Sequence, residues 1–254
     1  FRPTDRLVDT GGGRIITTGG AYEYLRIAEG CAKHCTYCVI PKVRGGYRSI
    51  PMERLLDTAR QMVGEGVKEL IVIAQETTLY GTDLYGKKSL HILLEKLCRI
   101  EGLVWIRLLY CYPEEIYPEL VDTIAREPKI CHYLDLPIQH CSDSILKRMG
   151  RKTTKADLER IITEIRERIP DMVIRTTLIT GFPGETKEDH EELMQFVADM
   201  AFDRLGVFTY SPEEDTPAAA MENQVPEEVK EQRKAELMEL QQDISLELDQ
   251  ERIG

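Results

Sequence analysis

Three cysteines fall within one short stretch, Gly30-Cys31-Ala32-Lys33-His34-Cys35-Thr36-Tyr37-Cys38. Their C-x3-C-x2-C spacing presents three thiols on one loop, directly after an apolar strand-like run. Three thiolates suit a [4Fe-4S] cluster, whose cube has four irons, so one iron is left with no protein sulfur and open to another ligand. Two other readings stand beside this one. Cys31, Cys35, Cys38 and His34 are enough ligands for tetrahedral zinc, but His34 directly precedes Cys35, and structural zinc sites usually take their ligands from two separated knuckles. The three thiols also fit the role of small buried hydrophobes.

A loop of this kind needs a scaffold, and the rest of the chain alternates strand and helix patterns. Candidate strands are Tyr22–Ala28, Leu70–Ala74, Val104–Leu109, Tyr133–Leu136, Val173–Ile179 and Leu205–Phe208. Between them run apolar residues at helical spacing: Leu55, Leu56, Ala59, Met62 and Val63; Leu90, Leu93, Leu94 and Leu97; Leu120, Val121 and Ile124; Leu158, Ile161, Ile162 and Ile165; Leu193, Val197 and Met200. Thr154 with Asp157 and Thr186 with Asp189 fit the helix-entry pattern, Ser142 is placed to cap a short helix over 143–149, and Gly150 to end it. Strand–helix alternation implies parallel strands joined by right-handed crossovers. Six such units are fewer than the eight of a closed barrel. The expected fold is therefore α/β, a partial (β/α)6 barrel of the TIM type, with chemistry at the C-terminal ends of its strands.

Residues 1–20, with Gly11-Gly12-Gly13 and Gly19-Gly20, read as a linker or entry segment in which Ile15-Ile16 adds at most a short edge strand. The core is expected over 21–222. From 223 to 254 a charged run with a weak apolar stripe, Val229, Leu237, Leu240, Ile244 and Leu248, reads as a long, largely solvated helix leading outward to a further domain. Phe1 stands where an initiator Met would, from which an excised piece of a longer protein or a processed chain is expected.

The 254 residues carry 33 basic and 44 acidic side chains, a net charge of −11 that argues against broad contact with nucleic acid. No apolar run approaches the length of a membrane span, and no secretory leader is visible at the N-terminus. Seven cysteines, three of them clustered, fit metal chemistry in a reducing cytoplasm better than a disulfide framework. Cys98, Cys111, Cys131 and Cys141 are dispersed and read as buried small side chains.

The cysteine loop, with Tyr37 as the aromatic of C-x3-C-x-aromatic-C, resembles the signature of the radical S-adenosylmethionine (SAM) enzymes. The resemblance implies that Cys31, Cys35 and Cys38 hold the cluster, that SAM binds its open iron and that Tyr37 is among the cofactor contacts. Residues at the strand ends then become candidates for holding SAM. Gln75 and Glu76 follow the second strand, with Glu76 placed to accept from the ammonium group. The alternative for that segment is a solvated turn. Gln139, His140 and Ser142 follow the fourth strand; the imidazole is equally well read as a structural group. Arg175 lies within the fifth, where an inward guanidinium needs a partner, either a SAM carboxylate or Glu76. Ile179 and Gly181 match the family's adenine-contact motif, although Gly181 equally suits a tight turn, and Tyr210 follows the sixth strand.

The run Arg175-Thr176-Thr177-Leu178-Ile179-Thr180-Gly181-Phe182-Pro183-Gly184-Glu185-Thr186 is similar to the methylthiotransferase branch of that family, and Gln75-Glu76-Thr77-Thr78 to its members that modify an aspartate of a small-subunit ribosomal protein. That resemblance implies methylthio transfer to the aspartate β-carbon, with a 5'-deoxyadenosyl radical as hydrogen abstractor and a reductant such as flavodoxin or ferredoxin. It also implies a second [4Fe-4S] cluster on an N-terminal domain and a C-terminal TRAM domain, neither of which this chain contains. A tRNA substrate is the first alternative, for which Lys42-Val43-Arg44-Gly45-Gly46-Tyr47-Arg48 offers positive charge; that segment equally suits flanking the cluster loop. A non-enzymatic iron–sulfur carrier or redox sensor is the second.

Overall fold

The structure, a computed structural model, describes residues 20–253. The expected linker, apart from Gly20, and the edge strand at Ile15-Ile16 lie outside the described residues. In chain order come β1 (Tyr22–Arg26), β2 (Ala28–Glu29), α1 (Ile40–Arg44), β3 (Arg48–Ser49), α2 (Met52–Gly64) and β4 (Glu69–Ile73). Then follow α3 (Thr82–Tyr85), α4 (Leu90–Cys98), β5 (Trp105–Leu108), α5 (Pro118–Arg126), β6 (Ile130–Asp135) and α6 (Asp143–Arg148). The last elements are α7 (Lys155–Arg168), β7 (Val173–Thr180), α8 (Lys187–Met200), β8 (Arg204–Thr209) and α9 (Glu227–Arg252). The six expected strands form one sheet in the order β1-β4-β5-β6-β7-β8, in which β1 and β4, β4 and β5, β5 and β6, and β7 and β8 pair in parallel. That is the α/β fold with parallel strands that the alternation implied.

The described residues divide into two units, the first covering 20–33 with 40–134 and the second 34–39 with 135–253. In the first, alternation along the strands turns Leu25, Leu70, Val72, Ile106 and Leu108 into a buried face. The stripes Leu55, Leu56, Ala59 and Met62 of α2 and Leu90, Leu93, Leu94 and Leu97 of α4 are buried as well, each leucine or methionine contributing about 1.5–3 kcal/mol. An element that periodicity did not announce is the hairpin of β2 with β3, pairing Ala28 with Ser49 and Glu29 with Arg48. Two residues per strand are too few to leave an alternating pattern.

In the second unit β7 and β8 pair in parallel from Arg175–Arg204 to Thr180–Thr209. Thr154 and Thr186 form complete capping boxes with Asp157 and Asp189 at the starts of α7 and α8. Ser142 makes no cap bond; its hydroxyl instead donates to Asp189 Oδ1 at 2.5 Å. Gly150 does end α6, at φ +73°.

Helix α9 is long, as expected, but it does not simply lead outward. It packs along β8 and α8, and its docked face carries Lys230, Arg233, Leu237, Gln241 and Ile244. Three of those five are polar, which is why the apolar stripe looked weak. Lys230 donates to the Tyr210 carbonyl at 2.8 Å, Arg233 to the Glu185 carboxylate at 2.8 Å, and Gln241 to the Phe202 carbonyl at 2.7 Å. Long polar side chains thus satisfy buried acceptors that an apolar stripe would have left unpaired.

Candidate functional site

The cysteine loop begins in the first unit and ends in the second. In the first, β1 leads through β2 to Gly30 at φ +79°. A Cβ there would stand 2.1 Å from the Gly46 carbonyl oxygen, so only glycine lets the two strands of the loop close. Cys31 N–H donates to the Gly45 carbonyl at 3.2 Å and Gly30 N–H to Gln75 Oε1 at 2.8 Å. Cys31 is buried, and the Lys33 backbone N–H donates to its Sγ at 3.4 Å. Gln75, expected as a cofactor contact, therefore supports the loop through its side-chain oxygen.

Glu76 is fully buried, which rules out the solvated turn. Its Oε1 accepts from the Thr78 amide at 2.9 Å and from the Thr78 hydroxyl, while Oε2 has no hydrogen-bond partner among the described residues. Burial pushes this carboxyl up to about 7, against the Thr78 bonds and the nearby Lys33 charge. A buried carboxylate oxygen with no donor is where a ligand's ammonium would be useful. In the basic segment, Arg44 reaches Glu29 at 3.3 Å and Arg48 donates to the carbonyls of Gly46 and Arg44. These cations brace the flank of the cysteine loop.

In the second unit, the loop's later half is held by Thr36, whose amide donates to Met149 O at 3.0 Å and whose hydroxyl donates to Arg148 O at 2.8 Å. The Thr36 carbonyl accepts from Ala218 N–H at 2.9 Å, and Cys38 N–H closes a turn on Cys35 O at 3.1 Å. Cys35 is buried and Cys38 partly exposed. Tyr37 packs with Ile179 against a buried cluster of Ile145, Met149, Phe182, Tyr210 and Ala218. Burial and the neighbouring Cys35 raise its hydroxyl well above the usual range, with Arg151 opposing.

A cavity of about 160 Å³ opens among Tyr37, Gln139, Thr177, Ile179, Phe208, Thr209, Tyr210 and Ser211. That is below the roughly 300 Å³ at which whole small-molecule sites begin, so it suits one flat part of a larger ligand. Gln139 enters it from the left-handed region, φ +71°, held there by its amide on Thr177 O at 2.9 Å and its carbonyl on Ile179 N–H at 2.8 Å. Tyr210 stacks edge-on against Phe182 at 5.1 Å, and its buried hydroxyl has no partner among the described residues. Four of the expected cofactor contacts, Tyr37, Gln139, Ile179 and Tyr210, are thus brought together.

Three others are used differently. Ser142 bonds Asp189, as above. Arg175 is not an inward charge seeking Glu76 or a ligand: its side chain is 42% exposed and pairs with Asp135 at 3.4 Å. It lies four residues before Ile179, about 13 Å back along an extended strand. Gly181 sits at φ +71°, and a Cβ there would meet Lys230 Cγ at 2.2 Å, so its close approach is to α9. His140 is wholly buried, its Nδ1 accepting from Ser142 N–H at 2.9 Å, and burial lowers its pKa to about 3. It is a neutral structural group. Cys98, Cys111 and Cys141 are buried and Cys131 half-buried; burial raises the Cys98 thiol to about 11 and that of Cys141 further.

Among the described residues, no three Cys, His, Asp or Glu side chains converge as the ligands of a single metal ion do. Thiolates of a [4Fe-4S] cube each grip a different iron, so their sulfurs stand farther apart than ligands around one zinc. Three thiols on one loop, none in a disulfide, with a backbone amide aimed at the first sulfur, fit the cluster.

Comparison with known proteins gives the family. The sequence profile of the Radical SAM superfamily matches residues 25–197. A protein named ribosomal protein uS12 methylthiotransferase RimO, from Lachnoclostridium phytofermentans, is 61% identical over all 254 residues, which cover 58% of its own length. The protein of that name from Clostridium perfringens is 54% identical over 241 residues, 95% of this chain and 54% of its own. The chain spans a little over half the length of these relatives. Among solved structures, the radical SAM methyltransferase TsrM from Kitasatospora setae superposes with a TM-score of 0.64 at 20% identity, over 79% of this chain and 39% of its own. Its likeness carries the fold alone. With the cysteine spacing, the parallel α/β sheet and a matched profile over most of its length, the chain belongs to the radical SAM superfamily.

Proposed function

We propose that the chain is the radical SAM core of a methylthiotransferase that modifies an aspartate of ribosomal protein uS12, acting in the cytoplasm with a flavodoxin- or ferredoxin-type reductant. The loop Cys31–Cys38 carries this reading, supported by the 54–61% identity to proteins of that name. Cys31, Cys35 and Cys38 would hold a [4Fe-4S] cluster, which, with SAM at its open iron, supplies reductive cleavage to methionine and a 5'-deoxyadenosyl radical.

The residues around the loop position and shield. Glu76 offers Oε2 to the ammonium of SAM; a cation beside the carboxyl opposes the upward push that burial gives it and favours its ionised form. The Tyr37–Tyr210 cavity takes a flat heterocycle between apolar walls, with Gln139 and Ser211 at its lining. Phe182, Met149 and Ile145 behind it keep water away, which a carbon radical requires.

The test is mass spectrometry of uS12 and tRNA from cells lacking the protein. Loss of the methylthio group from the uS12 aspartate supports the proposal. Loss from tRNA with uS12 intact assigns the activity to tRNA instead.

A further inference from the structure

Three loops of the first unit meet at one carboxylate. Glu115 closes the 3-10 turn Pro113–Glu115 after β5. Its Oε1 takes the ammonium of Lys33, from inside the cysteine motif, and its Oε2 takes that of Lys88 at 2.8 Å. Lys88 also donates to the Glu115 backbone carbonyl at 2.9 Å, and Glu114 stands 3.9 Å from Lys33. Each ammonium lies over a tyrosine ring, Lys33 over Tyr112 at 5.3 Å and Lys88 over Tyr117 at 5.4 Å. Burial opposes the charge on Glu115, yet the two ammonium groups outweigh it and hold the carboxyl below its usual range.

Lys33 is two residues from Cys31, and its own amide donates to Cys31 Sγ. Whatever fixes Lys33 therefore fixes a hydrogen bond to a sulfur and the net charge beside it. Both quantities set the reduction potential of an iron–sulfur centre.

We infer that Glu115 is a positioning residue for the Cys31 corner of the cluster, holding the Lys33 amide on the sulfur and neutralising the Lys33 ammonium beside it. The inference rests on the reading that Cys31 is a cluster ligand. It gives the charges of the triad opposite effects. Without the Glu115 carboxylate, two ammonium groups are left with less compensation and favour the more negative, reduced cluster. Without the Lys33 ammonium the oxidised cluster is favoured. A unit charge at about 10 Å, in an effective dielectric near 20, changes the oxidised-to-reduced ratio on the order of tenfold, ~59 mV for one electron.

The experiment is an anaerobic potentiometric titration of the full chain reconstituted with ferrous iron and sulfide, following the EPR signal that changes when SAM is added. E115Q should raise the midpoint, but by less than that amount because a loosened Lys33 amide stabilises the reduced sulfur less; K33M should lower it through both effects, and K88M, which keeps the Lys33–Glu115 contact, should lower it by less than K33M. Hydrogen exchange on the metal-free chain should show faster exchange at 31–34 in E115Q. Unchanged midpoints, or a shift of the same sign in E115Q and K33M, overturn the inference; if E115Q does not fold, K33M and K88M decide it alone by their sign and order. A wild-type chain with no SAM-responsive signal overturns the underlying reading as well, and is distinguishable because no midpoint exists to compare.

Discussion

The amide of Gly30 donates to the side-chain oxygen of Gln75 at 2.8 Å, across 45 residues of sequence. One acceptor after β4 thus fixes the residue that aims the cysteine loop. Q75A should leave that amide unpaired at a cost of about 1–3 kcal/mol and lower iron uptake per chain, while Q75E, which keeps an acceptor, should restore it. Iron content and circular dichroism of the two variants check this. Wild-type iron in Q75A would show that the bond is incidental.

The seven thiols should separate into two classes. C35A should leave no cluster absorption after anaerobic reconstitution. C98A, in the buried stripe of α4, should keep full iron and lose about 1–2 kcal/mol of stability through packing alone. Iron analysis with urea unfolding measures both, and cluster retention in C35A would remove it from the ligand set.

Much of this arrangement was open to reading from the residues. Six strands and the stripes of α2, α4 and α7 carried their periods plainly, because each buries one face against a neighbour. The cysteine spacing pointed to its chemistry because few other constraints place three thiols so close. What stayed hidden depended on contacts distant in sequence. Arg175 looks like an inward charge until Asp135 is seen beside it. Gln139 carries no signal of its left-handed backbone, and Lys230, Arg233 and Gln241 look like a solvated helix face although they are buried. The pairing of β2 with β3 rests on Gly30, where a Cβ would meet the Gly46 carbonyl, a contact that the sequence does not announce.

His140 gives a pH dependence with a definite sign. Its folded pKa is about 3 against 6.5 in the unfolded chain. As pH falls below about 6.5 the unfolded state takes up a proton that the folded state does not, so stability falls from there down to about 3. Urea unfolding across that range should show a shallower acid limb in H140Q than in wild type. Identical slopes would mean that the imidazole is hydrated and titrates normally.

Gly181 and Gly86 both have positive φ, but their surroundings differ. A Cβ at Gly181 meets Lys230 at 2.2 Å, whereas one at Gly86 meets nothing within 4 Å. G86A should cost only the backbone strain, about 1–2 kcal/mol. G181A should cost more, because it also displaces Lys230 from the Tyr210 carbonyl. Equal losses in urea titrations would show that α9 yields freely at that point.

The most direct test of the account is 5'-deoxyadenosine formed from SAM by the anaerobically reconstituted full-length protein with dithionite, compared with C31A, C35A and C38A. The account predicts formation by the wild type and none by any of the three variants. A wild-type cluster that forms without yielding 5'-deoxyadenosine, or a yield that survives loss of one of these thiols, would contradict it.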